Sequence, residues 1–198
     1  MSIAVVNSGG ANISSVLHAL RRQGAEPVFT DDASVIRSAD RVILPGVGAA
    51  GHAMEVLGEH DLIEALRNLT QPVLGICLGM QLLFDSSEED DVQLLGIIPG
   101  RLLKLEKTAE LRVPHMGWNT ITSQRADSLT DRLNRKWFYF VHSFAAPVGE
   151  CTLATSQHGS TFSAIVRKDN FYGAQFHPER SASAGAGLLR GFLETPLQ

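Results

Sequence analysis

The sequence of 198 residues predicts an α/β fold, a doubly wound, mostly parallel mixed sheet flanked by helices, of the flavodoxin-like kind. Three observations support this prediction. Short apolar runs at residues 3–6 and 41–44 alternate with helical patterns, which is typical of βαβ units. Residues 72–76 form a continuous apolar run, as expected when both faces of a parallel strand are covered. The last third holds several strand patterns joined by short turns, so antiparallel strands are expected on one side of the sheet.

The individual elements follow from residue patterns. Strands are expected at apolar or alternating runs, namely residues 3–6, 27–29, 41–44, 72–76, 101–105, 137–144, 151–156, 161–166 and 171–176. Helices are expected at residues 12–24, 53–57, 62–66, 78–84 and 183–193, with residues 31–38 a loop or short helix. Asp169 and Asn170 turn the final hairpin. Two segments are predicted as loops, the acidic residues 86–91 and residues 113–119, whose Met and Trp either pin the loop to the core or bind a partner.

Composition and charge restrict the class of function. The chain is 44% hydrophobic and 19% charged with a net charge of −4, and it has no basic cluster, which argues against a nucleic-acid surface. No apolar run reaches about 18 residues and the start lacks a basic n-region, so neither a membrane span nor a secretory signal is expected. Two cysteines in a chain of this size suggest a reducing compartment, the cytoplasm. The length fits one domain spanning residues 1–198.

Cys77 is the first candidate for chemistry. Gly75 and Gly79 flank it as GxCxG between a predicted strand and a predicted helix, which is the thiol form of a nucleophile elbow. The glycines allow strand and helix to approach closely, and a helix N-terminus stabilises a thiolate. Taken alone, the pattern fits a small buried structural cysteine equally well.

Two further segments are expected at the same edge of the sheet. Residues 45–48, PGVG, follow a strand and could direct backbone N–H groups at a developing oxyanion, although an ordinary turn has the same composition. His177 and Glu179 follow the last strand, and in extended geometry they would face one site, where the carboxylate could orient the imidazole. A metal site is the rival interpretation. It is disfavoured because no HExxH or CxxC pairing completes a ligand set.

These motifs together resemble a known family. GICLGMQLL around Cys77, with HPE about a hundred residues later, is similar to the class I, or triad, glutamine amidotransferases. PGVG at residues 45–48, PHMGWN at residues 114–119 and YFVHSF at residues 139–144 narrow the resemblance to the glutaminase subunits of imidazole glycerol phosphate synthases. Residues 7–10, NSGG, depart from the pattern, because relatives usually carry an acidic residue there, often followed by an aromatic one.

The resemblance implies a role for each matching position. Cys77 would attack the carboxamide of glutamine, His177 would relay the proton and Glu179 would orient His177. The residues implied in substrate binding and the oxyanion site are Gly46, Val47, Gly48, Leu78, Gln81, His142 and Ser143. The residues implied in facing a partner are Asn12, His115, Trp118 and Tyr139. No metal and no cofactor are implied.

The resemblance also implies a partner. The ammonia would pass to a cyclase subunit of the (β/α)₈-barrel type in a heterodimer, which makes imidazole glycerol phosphate and an aminoimidazole carboxamide ribotide in histidine biosynthesis. The glycines of the PGVG loop could hold its N–H groups misaligned until that partner binds, so that the chain alone is nearly idle. The alternatives are the glutaminase of a different synthase, a thiol hydrolase that does not use glutamine, and a binding module without turnover.

Overall fold

The structure is a computed structural model and describes residues 1–10, 13–108 and 111–196. The strands are β1 Ile3–Val6, β2 Pro27–Thr30, β3 Arg41–Gly46, β4 Val73–Cys77, β5 Phe84–Ser87, β6 Ile98–Lys104, β7 His115–Thr120, β8 Thr122–Ser123, β9 Trp137–His142, β10 Phe144–Ala145, β11 Thr152–His158, β12 Ser160–Lys168 and β13 Phe171–Ala174. The helices are α1 Ile13–Arg21, α2 Ala33–Ser38, α3 Ala50–Glu59, α4 Leu62–Arg67, α5 Leu78–Gln81 and α6 Ala182–Leu193, and a 3₁₀ turn spans Pro178–Arg180.

An eight-stranded mixed sheet forms the centre, in the order β2-β1-β3-β4-β13-β12-β11-β8. The pairs from β2 to β13 are parallel, and those from β13 to β8 are antiparallel. The predicted mixed α/β sheet is therefore confirmed. Because β3, β4 and β13 are parallel neighbours, their carboxyl ends meet at one edge, where ligands bind in sheets of this kind.

Both faces of the sheet are covered by apolar side chains. Along β1, Ile3 and Val5 belong to a cluster that includes Leu20 and Phe192 of the flanking helices. The alternate positions of β1 belong to a second cluster on the opposite face, with residues of α2, α3 and α4. All four side chains of β1 are buried, which explains the absence of polar alternation in the early strands.

Three segments differ from prediction. The helix expected at residues 78–84 is only α5, and Phe84 instead begins β5 and pairs with Ile98. The loop expected at residues 113–119 is mostly β7, which pairs antiparallel with β9. The loop expected at residues 86–91 begins inside β5, where the first two residues are buried serines. In each case strand pairing outweighs local turn and helix propensity.

Smaller differences concern element boundaries. β3 continues through Gly46, so half of the expected PGVG loop is strand. The strand expected at residues 137–144 is interrupted at Ser143 and resumes as β10. Cys77 and Cys151 are both free thiols. No helix within the described ranges is long and apolar enough to cross a bilayer.

Candidate active site

Cys77 sits on a sharp corner made by close backbone contacts. It ends β4 with φ 52° and ψ −111°, a strained conformation for a residue with a side chain. A Cβ placed on Gly79 would lie 1.7 Å from the carbonyl oxygen of Leu44, and one on Gly75 would lie 2.5 Å from the carbonyl oxygen of Gly79. Both glycines are therefore required by the close approach of strand and helix, as the sequence predicts.

His177 and Glu179 form a buried pair just beyond β13. Nδ1 of His177 lies 2.9 Å from Oε1 of Glu179, and their side chains are 8% and 2% exposed. The local geometry differs from the expected extended strand, because residues 178–180 form a 3₁₀ turn that brings the carboxylate back to the ring. Ser181 donates to the carbonyl oxygen of His177 at 2.6 Å, and the backbone N–H of His177 donates to Tyr139 at 2.9 Å. The turn is therefore tied to β9.

The thiol and the imidazole share one pocket. Cys77 and His177 both line a cavity of about 280 Å³ at the carboxyl ends of β3, β4 and β13. Burial lowers the pKa of His177, but the interactions of its ring with Cys77 and Glu179 outweigh this and raise the pKa to about 10. Since Nδ1 of His177 is engaged by Glu179, Nε2 is the ring nitrogen available to interact with groups in the pocket. An imidazolium there favours a thiolate at Cys77.

Most residues that the resemblance assigns to the substrate lie around this cavity. Its remaining walls are Val47, Gly48, Leu78, Gln81, Glu89, Pro114, Val141, His142, Ser143 and Phe144. Gly46 is the exception, since it is a β3 residue paired with Cys77, and a Cβ on it would lie 3.0 Å from the Cβ of Leu78. Gly46 therefore allows the end of β3 to lie against the elbow without itself lining the pocket.

The loop that follows β3 is fixed by its own backbone conformation and by contacts with the start of the chain. Gly48 has φ 98°, which favours glycine, and α3 begins two residues later. Ser8 donates to the carbonyl oxygen of Pro45 at 2.7 Å, and a Cβ on Gly10 would lie 3.1 Å from the backbone nitrogen of Val47. The unusual NSGG start is thus packed against the loop and leaves little room for larger residues.

His142 uses both ring nitrogens inside the protein. Nδ1 lies 2.9 Å from the carbonyl oxygen of Phe144, which can only accept, so Nδ1 carries the proton. Nε2 lies 3.0 Å from Nδ1 of His115 and accepts from it. Burial lowers the pKa of His142 to about 3 and that of His115 to about 4, so both rings are neutral. His142 therefore fixes the shape of the segment that carries Ser143.

The residues assigned to a partner divide into two groups. Trp118, 51% exposed, and Tyr139, half-buried, lie on the outer face of the β7–β9 pair, with their ring centroids 6.0 Å apart. Met116 and Trp137 are exposed on these same strands. His115 is only 4% exposed and its ring pairs with His142, so it does not itself lie on the outer face. Asn12 lies outside the described residues.

Glu89 is a pocket residue that the sequence did not reveal. It lines the cavity, and its Oε2 accepts from the backbone N–H of Ala50 at 2.8 Å, at the start of α3. The sequence shows Glu89 within a run of four acidic residues, and nothing in that run distinguishes it. No group of three or more His, Cys, Asp or Glu suited to a metal ion occurs among the described residues.

Comparison with known proteins identifies the family. The family model described as glutamine amidotransferase class-I matches residues 4–195. The chain belongs to this family. It is a glutamine amidotransferase, and the chemistry of such an enzyme accords with a thiol, an imidazole and a carboxylate around one pocket.

Curated relatives and solved structures refine this placement. "Imidazole glycerol phosphate synthase subunit HisH" of Idiomarina loihiensis is 50% identical over 197 residues, which cover 100% of both chains. The protein of the same name from Xylella fastidiosa is 50% identical and covers 97% of this chain and 96% of its own. A structure described as glutamine amidotransferase has a TM-score of 0.74 at 20% identity over 96% of this chain and 97% of its own. PurLQS from Thermotoga maritima has a TM-score of 0.69 at 20% identity over 97% of each chain. The two structures support the fold.

Proposed function

We propose that this chain is the glutaminase subunit of an imidazole glycerol phosphate synthase, with Cys77, His177 and Glu179 as its catalytic residues. The observation that carries the proposal is that Cys77 and His177, from distant parts of the sequence, line one pocket, with Glu179 bonded to His177 behind it. The full-length identity of 50% to proteins of that name supports the choice of synthase. Residues 1–198 are taken as one glutamine amidotransferase domain that acts in the cytoplasm.

The first half of the reaction forms a covalent intermediate. The thiolate of Cys77 attacks the side-chain carbonyl carbon of glutamine, and the negative charge moves to the carbonyl oxygen. Leu78, Val47 and Gly48 line the pocket, and we assign the stabilisation of that oxyanion to their backbone N–H groups once the loop is aligned. The imidazolium of His177 then donates its Nε2 proton to the departing nitrogen, so that ammonia leaves and a γ-glutamyl thioester remains.

The second half regenerates the enzyme. His177, now neutral, removes a proton from water, and the resulting hydroxide attacks the thioester carbon. Glutamate departs and Cys77 returns to the thiolate, while His177 again carries the proton. Glu179 takes no proton in this scheme. It orients the ring through Nδ1 and stabilises its charged form, as carboxylates do in other triads.

The pocket offers different polar groups to the two ends of glutamine. The carboxylate of Glu89 suits the α-ammonium group, because it is the acidic side chain among the described residues that line the pocket. His142 and Gln81 fix the neighbouring segment through the carbonyl oxygen of Phe144, and Ser143, which lines the pocket, has a hydroxyl group that can donate to the α-carboxylate. A site that binds both the α-ammonium and the α-carboxylate group favours free glutamine over a glutamine residue within a peptide.

A second subunit must use the ammonia. Ammonium, the main form in neutral water, has no lone pair, so the ammonia is best delivered under cover to an acceptor. We assign the acceptor site to a (β/α)₈-barrel cyclase that docks on the outer face of β7 and β9. Exposed Trp118 and Met116 make that face a suitable interface, because aromatic residues and Met are enriched at interfaces.

Reconstitution with a candidate cyclase tests this proposal. Formation of imidazole glycerol phosphate is measured with glutamine and, separately, with ammonium salt as nitrogen donor. We expect Cys77→Ala to abolish the glutamine-dependent reaction and to retain the ammonia-dependent one, while Cys151→Ala retains both. Full glutamine-dependent activity in the Cys77→Ala complex would refute the proposal.

A second experiment addresses coupling between the subunits. Glutamate release is measured for the chain alone and for the chain with a cyclase loaded with its nucleotide substrate. We expect the rate to rise by orders of magnitude on loading, because the partner completes the alignment of the loop at residues 45–48. Equal rates of glutamate release in the two samples would contradict the hypothesis that the free subunit is nearly inactive.

A further inference from the structure

Gln175 lies against the nucleophile although no motif assigns it a role. It follows β13 directly, two residues before His177, and its side chain is fully buried. Its Nε2 lies 4.0 Å from Sγ of Cys77, within reach of a hydrogen bond to sulfur. A buried amide has to satisfy its polar atoms inside the protein, so its position beside a reactive sulfur calls for an explanation.

The orientation of this amide is fixed by its neighbours. Nε2 of Gln81 donates to the carbonyl oxygen of Phe144 at 2.9 Å, an atom that can only accept. The same nitrogen lies 3.1 Å from Oε1 of Gln175 and donates to it. With Oε1 committed to Gln81, the N–H₂ group of Gln175 is the end that faces the sulfur. Reversing the amide would set two nitrogens against each other.

The sulfur has a different partner for each protonation state. As a thiol, Cys77 can donate to the carbonyl oxygen of Val141, which lies 3.7 Å from Sγ. As a thiolate it can only accept, and that carbonyl becomes an unfavourable neighbour. The N–H of Gln175 favours the charged form, since a hydrogen bond donated to an anion stabilises it.

We propose that Gln175 is a positioning residue of the glutaminase reaction, which donates an N–H to the sulfur of Cys77 and stabilises its thiolate. The donor is held in place by the chain of hydrogen bonds from Phe144 through Gln81. The same carbonyl of Phe144 also accepts from His142, so the substrate-binding segment and the nucleophile are linked. The inference rests on the proposed role of Cys77 as nucleophile.

The test measures how the reactivity of Cys77 depends on pH. The full-length chain is alkylated with iodoacetamide across a pH series, and modification of the peptide containing Cys77 is followed by mass spectrometry. Q175E replaces the donor with an acceptor of the same shape, and Q175M removes the donor at similar volume. Q71E is the matched control, because the amide of Gln71 also donates to a backbone carbonyl, that of Ile36, on another part of the chain.

We expect the alkylation midpoint of Cys77 to rise by about one pH unit in Q175E and by a smaller amount in Q175M. The midpoint of Q71E stays at the wild-type value. Q175M covers the case in which Q175E does not fold, as judged by near-UV circular dichroism. An unchanged midpoint in a folded Gln175 variant overturns the inference. If Cys77→Ala retains glutaminase activity, the proposed function itself fails, so the two failures are distinguishable.

Discussion

The elbow at Cys77 and the β7–β9 pair are built on different principles. At the elbow, main chain contacts main chain, and the space that a methyl group on Gly79 would need is already occupied by the carbonyl oxygen of Leu44. In the β7–β9 pair, large side chains define both faces, with buried histidines and phenylalanines inside and exposed Trp118 outside. The elbow is thus fixed by backbone geometry, and the pair by side-chain identity.

In the proposed function, this difference separates the chemistry from the recognition of the partner. The position of the nucleophile depends on contacts that tolerate no substitution, whereas an outer face of exposed side chains can be altered without moving the sheet. The two regions meet at the pocket, because β9 ends at His142, whose ring holds the segment that we propose binds the substrate. Four predictions test this division, from the largest expected effect to the smallest.

Removing the imidazole is expected to have the largest effect. His177→Asn removes the group that protonates the leaving nitrogen and activates water, so glutamine-dependent turnover of the complex falls by about 10³-fold or more. Steady-state assays with glutamine and with ammonium salt separate this loss from unfolding, because the ammonia-dependent rate stays near the wild-type value. A loss of less than tenfold would contradict the assigned role.

Adding one methyl group at the elbow is expected to destabilise the fold. Gly79→Ala places a Cβ 1.7 Å from a backbone oxygen, so the strand and helix must separate, at a cost of about 3 kcal/mol in the free energy of unfolding. Gly58→Ala is the control, because Gly58 lies within α3 and its Cβ would meet only the side chain of Ile63 in α4, at 3.8 Å. That variant gains about 0.5 kcal/mol from helix propensity. Urea unfolding measures both, and equal stabilities would refute the backbone argument.

Truncating the outer face is expected to affect binding alone. Trp118→Ala weakens association with the cyclase by about 30-fold, equivalent to about 2 kcal/mol, since aromatic residues at the centre of an interface carry much of its energy. Phe29→Ala is the control, as an exposed aromatic on the edge strand β2. Isothermal titration calorimetry gives both affinities. Equal losses in the two variants would show that the face of β7 and β9 is not the docking surface.

The smallest predicted effect is a shift in a titration. The pKa of His177 is raised from 6.5 to about 10, so its ring stays protonated at neutral pH and loses its proton as the pH rises through about 10. Glu179→Gln removes a negative partner and lowers this midpoint by about one unit, towards 6.5. Nitrogen NMR of the imidazole measures the titration. A midpoint near 6.5 in the wild-type chain would exclude the ion-paired state.

Sequence patterns predicted the parts of the molecule that depend on local structure. The four parallel strands of the first half, the glycines around Cys77 and the pairing of His177 with Glu179 all follow from patterns within ten residues. The resemblance, through motifs far apart in the chain, predicted the family. These features could be found because each depends on residue type. Continuous apolar runs mark strands that are buried on both faces, and glycines mark the positions where two backbones approach closely.

The features that were missed depend on long-range pairing. β7 directly follows Pro114 and contains Gly117, residues that local propensity places in a loop, and it is a strand because it pairs with β9. Glu89 reaches the pocket from an acidic run that shows no catalytic pattern, Gln175 reaches the sulfur of Cys77 although only the HPE motif beside it drew attention, and His115 points inward. Local sequence does not specify which face of a paired strand is outermost, so these residues could be placed only by the tertiary structure.

Trapping the covalent intermediate tests the central claim most directly. The complex with a loaded cyclase is mixed with glutamine and quenched in acid, and the peptides are analysed by mass spectrometry for a γ-glutamyl thioester. We predict an adduct on the peptide containing Cys77, absent from Cys77→Ala and absent from the peptide containing Cys151. Turnover of glutamine with no adduct on Cys77, or with the adduct on another residue, would contradict the account.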